Sequence, residues 1–296
     1  MPKQPSPLDP EVLRHLKGLN VQAQRVVEGV LAGLHRSPRH GTSIEFAEHK
    51  DYSPGDDPRH LDWRVLGRLD RYTVKKYEEE THLRATLAVD LSGSMAYRSR
   101  SLSKAQYAAI LAASLAALIL KQGDAAGMIL TSGSQPARIA PRAKTEHLGE
   151  LVTALEASQA EGPTRLREVA LQYMEQNPKR GMLVLFSDLF DEDPEMLASL
   201  KMVAARGHQV VVFQVLDPDE LEFPFEDPAI FESMEDDRQI LTFPHEIKRA
   251  YLDEMTEFLS HTKRALAEGR MAYQLARTDE PLHQPLLRHL TAPKAR

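Results

Sequence analysis

Cysteine is absent from the 296-residue chain. Its absence excludes disulfide bonds, thiolate metal ligands and cysteine nucleophiles together. The chain also lacks an excess of positive charge, since 37 basic and 43 acidic residues give a formal net charge of -6. Phosphate backbones are held mainly by clustered positive charge. We therefore expect no nucleic-acid partner.

Long hydrophobic runs are missing too. The longest, Ala108 to Leu120 around Ser114, is shorter than the roughly 20 residues that span a bilayer. The proline-rich first ten residues contain no apolar run of the kind that forms a signal peptide. These observations predict a cytoplasmic protein without membrane insertion.

Three enzyme motifs are also absent. The sequence contains no Gly-Lys pair, which excludes a P-loop, and neither Gly-x-Gly-x-x-Gly nor Gly-x-Ser-x-Gly occurs. His245-Glu246 begins a zinc-protease motif, but Arg249 stands where the second histidine belongs. No nucleophile-base pair or dinucleotide site is therefore predicted.

The second part of the chain alternates between short apolar runs and longer helical patterns. Such alternation predicts a doubly wound α/β fold, with a mostly parallel sheet covered by helices on both faces. The predicted strands are Arg84–Leu91, Ala125–Thr131, Met182–Ser187, Gln209–Leu216 and Ala272–Ala276, with Ala137–Ala140 as an antiparallel edge. The predicted helices are Ser101–Gln122, Lys144–Ser158, Leu166–Asn177, Pro194–Arg206, His245–Glu268 and Pro281–Leu290, the last capped by Thr278 or Asp279.

The first part of the chain has a different pattern. Residues 1–85 are predicted to form an N-terminal helical and β-hairpin arm, and residues 86–296 the α/β domain. The arm would contain helices at 8–16 and 21–34 and strands at 43–47 and 72–77. An acidic hairpin insertion is expected at about 217–243, and its acidic residues 217–237 are most simply a solvated loop.

Oxygen-bearing side chains follow several predicted strands. Asp90, Ser92 and Ser94 come after one strand, Asp188 after another, and Thr164 precedes a helix. Ligands of parallel α/β sheets bind at the carboxyl ends of the strands. Three hydroxyls and two carboxylates suit a hard cation such as Mg²⁺ or Mn²⁺. Such a site has an open coordination position, which a partner's Asp or Glu would fill.

A simpler interpretation remains open at this point. Asp, Ser and Thr after strands are routinely N-caps and turn formers. The metal site is favoured because all of these residues fall at expected strand ends or helix starts.

These residues resemble a known motif. Asp90-Leu91-Ser92-Gly93-Ser94-Met95, with Thr164 and Asp188, is similar to the metal-ion-dependent adhesion site of von Willebrand factor type A domains. The segment from Tyr52 to Arg64, followed by Val74 and residues 78–80, resembles the hallmark of domain-of-unknown-function family 58. The resemblance covers about residues 12–290.

The resemblance implies a von Willebrand factor type A-like fold. It implies Ser92, Ser94 and Thr164 as direct metal ligands, with Asp90 and Asp188 acting through water or directly. Members of this family are bacterial proteins often encoded beside MoxR-type AAA+ ATPases, which implies such an ATPase as a partner.

Three functions follow as hypotheses. The first is a non-enzymatic, Mg²⁺-dependent protein interaction module that assists a MoxR-type ATPase in the maturation or remodelling of other protein complexes. The second is a metal-dependent hydrolase or phosphoryl-transfer enzyme using Asp90 or Asp188. The third is a structural subunit whose metal site is vestigial.

Overall fold

The computed structural model describes residues 19–36, 49–51, 73–75, 83–131, 136–191, 193–235 and 238–292. The chain divides into two compact units, residues 1–37 with 83–296 and residues 38–82. Within the described part of the smaller unit, two short strands, β1 (His49–Asp51) and β2 (Thr73–Lys75), pair in antiparallel fashion.

The larger unit is built on a six-stranded sheet. Its strand order is β10-β7-β6-β3-β4-β5. Neighbouring strands from β10 to β4 are parallel, and β5 is an antiparallel edge strand on β4. The strands are β3 (Arg84–Val89), β4 (Ala125–Leu130), β5 (Ala137–Arg142), β6 (Met182–Ser187), β7 (Gln209–Leu216) and β10 (Ala272–Arg277).

Helices connect these strands, and a second hairpin precedes the longest helix. The helices are α1 (Leu19–Arg36), α2 (Lys104–Lys121), α3 (His147–Ala157), α4 (Leu166–Gln176), α5 (Met196–Ala205), α6 (Pro218–Glu222), α7 (Pro244–Glu268) and α8 (His283–Thr291). The antiparallel hairpin consists of β8 (Ala229–Glu232) and β9 (Gln239–Thr242), which form a separate two-stranded sheet.

Hydrophobic cores lie on both faces of the main sheet. On one face, α1, α2 and α3 pack against alternate residues of β3 and β4. On the other face, α4 and α5 pack against the opposite residues of β6 and β7. Because side chains alternate between faces along a strand, strands covered on both sides must be apolar throughout. The predicted doubly wound, mostly parallel architecture is confirmed.

Helix α2 is the central helix of the first core. Ser103 caps its N-terminus in a reciprocal arrangement with Gln106, in which each side chain accepts a bond from the other's backbone N–H. By length and composition α2 alone, among the described residues, is apolar enough to cross a membrane, and 83% of it is buried inside the protein.

The arm and the domain do not separate where the sequence analysis placed the boundary. Helix α1 was assigned to the arm, but Leu19, Ala23 and Val30 are fully buried in the core around α2. Its apolar stripe, recognised as helical in the sequence, packs on the sheet domain because α2 presents no polar face to water. The helix expected at 8–16, the strand at 43–47 and the motif at 52–64 lie outside the described residues.

Two local predictions were wrong. Helix α8 begins after Leu282 without a side-chain cap, so neither Thr278 nor Asp279 caps it. The acidic stretch 217–237 is not simply a solvated loop, because Asp217 is fully buried and starts α6 with a capping box. Its carboxylate accepts hydrogen bonds from the Ser99 hydroxyl and backbone N–H and from Thr278. Hydrogen bonding compensates the burial of this charge.

Candidate metal centre

The candidate site lies at the carboxyl end of β3. Here the strand order changes direction, with β4 on one side of β3 and β6 on the other. This is the switch point at which open α/β sheets bind ligands. The backbone N–H of Asp90 donates to the Phe186 carbonyl of β6 at 2.9 Å. This bond holds the polar ends of the two strands together.

Asp90 is fully buried at the end of β3. One carboxylate oxygen, Oδ1, accepts bonds from the Ser92 backbone N–H at 3.0 Å and the Thr131 hydroxyl at 3.2 Å. The other, Oδ2, accepts a bond from the Ser187 hydroxyl at 2.6 Å. Burial first, and then the neighbouring Asp188 carboxylate, raise the pKa of Asp90 to about 6. A carboxylate offers about four acceptor positions, so one remains on Asp90 for a further donor.

Ser92 and Ser94 face each other after the strand. Their hydroxyl oxygens are 3.1 Å apart. Two neighbouring ligands of an octahedral Mg²⁺, each bound at about 2.1 Å, lie about 3 Å from one another. The two serines therefore have the separation of adjacent ligands of one cation. Ser92 is fully buried and Ser94 is partly exposed, which leaves one side of the pair accessible.

The loop that carries Thr164 lies against the same turn. The Gly93 backbone N–H donates to the Gly162 carbonyl at 2.8 Å, and the Glu161 N–H donates to the Leu91 carbonyl at 2.8 Å. These two bonds hold the loop before α4 against residues 91–93. The Thr164 hydroxyl itself donates to the carboxylate of Glu235 at 2.9 Å.

Asp188 is held differently from Asp90. Its Oδ1 accepts a bond from the Phe190 N–H at 3.0 Å, and its Oδ2 pairs with the ammonium of Lys104 at 2.8 Å. Both side chains of this ion pair are fully buried. Lys104 also pairs with Glu220 and lies over the Phe190 ring, 5.1 Å from its centroid. Asp188 is thus partly neutralised by a cation of the chain itself.

Burial and neighbouring charges shift the pKa values of Lys104 and Glu220. Burial by itself lowers the pKa of Lys104, but the Asp188 and Glu220 carboxylates outweigh burial and leave it raised. Burial raises the pKa of Glu220, and the attraction of Lys104 offsets only part of that rise. Lys104 is therefore a fixed positive charge behind the candidate site.

The structure brings the predicted site residues to one edge of the sheet. Asp90, Ser92 and Ser94 share the β3 turn, Asp188 acts electrostatically on Asp90, and Thr164 lies on the adjoining loop. Among the described residues, no group of three or more His, Cys, Asp or Glu side chains could hold a metal ion. A cation at this edge would therefore be bound mainly by hydroxyls and water, and the metal site stays a prediction.

Several important side chains were not predicted from the sequence. Thr131 and Ser187 could have been predicted as site residues, since each stands at the end of an apolar strand as Asp90 does. Lys104 had a weaker sequence signal, because it is a lysine at the start of an apolar helix. Glu235 had no sequence signal, because it is one of many acidic residues in its segment.

A known protein family matches most of this chain. A family model described as "Protein of unknown function DUF58" matches residues 48–258. The chain belongs to this family. The uncharacterized protein Rv1480 of Mycobacterium tuberculosis is 29% identical over 220 residues, which is 73% of this chain and 68% of that protein.

Two solved structures align with about two thirds of this chain. The SpRpn10 VWA domain is 11% identical, with a TM-score of 0.41, covering 69% of this chain and 94% of that domain. An aerotolerance-related membrane protein from Bacteroides fragilis is 22% identical, with a TM-score of 0.43, covering 67% of this chain and 92% of that chain. The family is established by the family model, and the fold is a doubly wound, mostly parallel α/β fold.

One prediction is corrected by these comparisons. A cytoplasmic location was predicted from the sequence, whereas the similar Bacteroides fragilis structure belongs to a protein described as a membrane protein. The cytoplasmic prediction is withdrawn.

Proposed function

We propose that the protein is a Mg²⁺-dependent protein interaction module, whose site at the end of β3 binds a carboxylate of another protein through the metal. Mn²⁺ would serve in place of Mg²⁺. A MoxR-type AAA+ ATPase is the proposed partner on the basis of the family resemblance, and the client would be a protein complex that the pair matures or remodels.

The observation that carries this proposal is the pair of serine hydroxyls that follows Asp90. The hydroxyls of Ser92 and Ser94 are 3.1 Å apart, while the Asp90 carboxylate already accepts three hydrogen bonds. Hydroxyl ligands are neutral, so a cation held directly by them keeps most of its charge. A metal ion with an open position and little ligand charge attracts an external carboxylate.

Asp90 and Asp188 would contribute through bound water. Both are fully buried, and each carboxylate oxygen of both residues already has a partner. Their remaining acceptor positions suit the hydrogens of metal-bound water. Their negative charges would attract the cation, while their oxygens would leave its ligand positions to water and hydroxyls.

The same contacts weigh against the enzyme hypothesis. A carboxylate nucleophile or base must reach its substrate, but Asp90 is enclosed by Ser92, Thr131 and Ser187. Asp188 is also fully buried, and its Oδ2 is occupied by the Lys104 ammonium at 2.8 Å. A protein interaction role does not require either carboxylate to contact a substrate, whereas catalysis does.

Affinity capture tests the proposal. Tagged wild-type protein would be exposed to cell extract of its source organism, with Mg²⁺ or with EDTA, and the bound proteins identified by mass spectrometry. We expect an AAA+ ATPase and acidic-surface clients to be captured with Mg²⁺ and lost with EDTA.

A matched pair of variants makes the test specific to the site. Ser94→Ala removes a partly exposed candidate ligand, and Ser101→Ala removes an exposed serine in the same connection between β3 and α2. Ser94→Ala should reproduce the effect of EDTA, whereas Ser101→Ala should behave as wild type. Identical partners in every condition would refute the metal-bridge mechanism.

A further inference from the structure

The β8–β9 hairpin is seated on the candidate metal centre. The Met234 backbone lies so close to Gly93 that a Cβ at Gly93 would overlap the Met234 carbonyl oxygen and lie 2.8 Å from its carbonyl carbon. Gly93 has φ -57 and ψ -42, a conformation open to any residue. The turn therefore has space for glycine alone because the hairpin covers it.

The hairpin carries a carboxylate into the site. One oxygen of Glu235, Oε1, accepts a bond from the Thr164 hydroxyl at 2.9 Å, and the other accepts one from the Thr164 backbone N–H at 3.2 Å. A ligand pair around an octahedral Mg²⁺ lies about 3 Å apart. The Glu235 oxygen and the Thr164 hydroxyl have that separation, as the two serine hydroxyls do.

Glu235 lies close enough to Asp191 for their charges to interact. It contributes to raising the pKa of Asp191, after burial and Asp193. Like charges brought together at low dielectric repel one another. Lys104 is engaged by Asp188 and Glu220 rather than by Glu235. A divalent cation bound beside Glu235 and the Thr164 hydroxyl would offset this repulsion.

An aromatic base that includes Phe231 of β8 anchors the hairpin. Phe223, at the start of the segment, has ring contacts with Phe225, Phe231 and Tyr251 at centroid distances of 4.5 to 5.8 Å. Each strand has only four residues, and Ile240 and Leu241 of β9 are 65% and 68% exposed. An isolated two-stranded hairpin is marginally stable at best. Contacts at its tip therefore decide whether it stays on the site.

We propose that Glu235 is an internal ligand of the metal centre, which occupies the position that a partner's carboxylate would take. The inference rests on the proposed function, because it requires a cation at Ser92, Ser94 and Thr164. The hairpin then acts as an autoinhibitory cover, and an acidic partner binds by displacing Glu235 while the aromatic base stays in place. The partner is a protein that presents an Asp or Glu side chain.

Water counting on bound Mn²⁺ tests this ligand directly. Mn²⁺ would be titrated into metal-free full-length protein, and the relaxation enhancement of water protons would report the affinity and the number of exchangeable waters on the ion. Glu235→Gln should bind Mn²⁺ about 10-fold more weakly and with about one more exchangeable water than wild type. Glu232→Gln, on the exposed side of the same hairpin, should match wild type.

The outcomes separate the two claims. If wild-type protein binds no Mn²⁺ at millimolar concentration, the proposed function and this inference both fail. If wild type binds Mn²⁺ and Glu235→Gln gives the same affinity and water count, the metal centre stands and the internal ligand is refuted.

A second variant displaces the hairpin without touching Glu235. Gly93→Ala places a methyl group against the Met234 carbonyl, so the hairpin must move away. In wild type, Mg²⁺ should slow hydrogen exchange of the amides in residues 229–235 and 238–242 several-fold. Gly93→Ala and Glu235→Gln should both abolish this slowing. Slowing that persists in both variants would refute the cover.

Discussion

Lys104 and Asp188 form an ion pair of 2.8 Å in which neither side chain is exposed to solvent. The pair fixes the end of β6 to the start of α2, 84 residues earlier in the chain. Glu220 of α6 joins the same ammonium. Lys104 thus links α2, the end of β6 and α6 close to the candidate metal centre.

Removing Lys104 should destabilise the fold strongly. Lys104→Met leaves Asp188 and Glu220 without their counter-charge, and breaking a buried pair from one side costs about 3–5 kcal/mol. Urea unfolding measures the loss. Lys201→Met is the control, since the Lys201–Glu268 pair is exposed and its loss should cost about 1 kcal/mol or less. Similar losses in the two variants would contradict the importance assigned to Lys104.

His208 should make the stability depend on pH. Its Nδ1 lies 3.2 Å from the Gly181 N–H and 3.1 Å from the Tyr173 hydroxyl, both of which donate to it in the neutral ring. Burial, and then Arg206, lower the pKa of His208 below its ordinary value near 6.5. The unfolded chain then binds the proton more readily, so the free energy of unfolding falls as pH drops below about 6.5.

Urea unfolding between pH 5 and pH 7.5 measures this effect. One such histidine contributes a slope of at most about 1.4 kcal/mol per pH unit. His208→Gln should remove this contribution and lower the slope in this range, whereas His245→Gln, at an exposed histidine, is the control. An equal slope in wild type and His208→Gln would show that this histidine is not involved.

The base of the β8–β9 hairpin should depend on Phe223. This side chain is 4% exposed and contacts three other aromatic rings. Phe223→Ala should lower the free energy of local opening of residues 229–235 and 238–242 by about 3 kcal/mol, measured by hydrogen exchange with Mg²⁺ present. The amides of β3 and β6 should keep their protection.

Phe243→Ala is the matched control for the hairpin base. Phe243 is 46% exposed and lies just after β9, so its loss should change exchange in the hairpin little. If the hairpin amides of Phe223→Ala were as protected as those of the wild type, contacts at the tip alone would hold the hairpin in place.

The sheet could be predicted from the sequence because its signals are local. Met182–Ser187 and Gln209–Leu216 were predicted with the bounds that the structure shows, since strands buried on both faces are continuous apolar runs. The position of Asp90, Ser92 and Ser94 at the end of β3 followed from the same pattern. Polar residues at the end of a strand can be predicted from the sequence when the strand itself can be predicted.

Long-range pairings could not be predicted in this way. Lys104 pairs with Asp188 and Thr164 with Glu235 across 84 and 71 residues, and no local pattern links either pair. Asp217 looked like one solvated acid among many, yet it binds Ser99, 118 residues away. Helix α1 had a correct helical pattern but a wrong assignment to the arm, because the pattern does not reveal which surface its apolar stripe contacts.

The binding of one Mg²⁺ at the end of β3 is the central claim, and isothermal titration of Mg²⁺ into metal-free protein tests it most directly. We predict binding with a stoichiometry of about one, weakened at least about 10-fold by Ser94→Ala and by Thr164→Val, and unchanged by Ser101→Ala. An absence of binding at millimolar Mg²⁺, or equal affinity in all four proteins, would contradict the account.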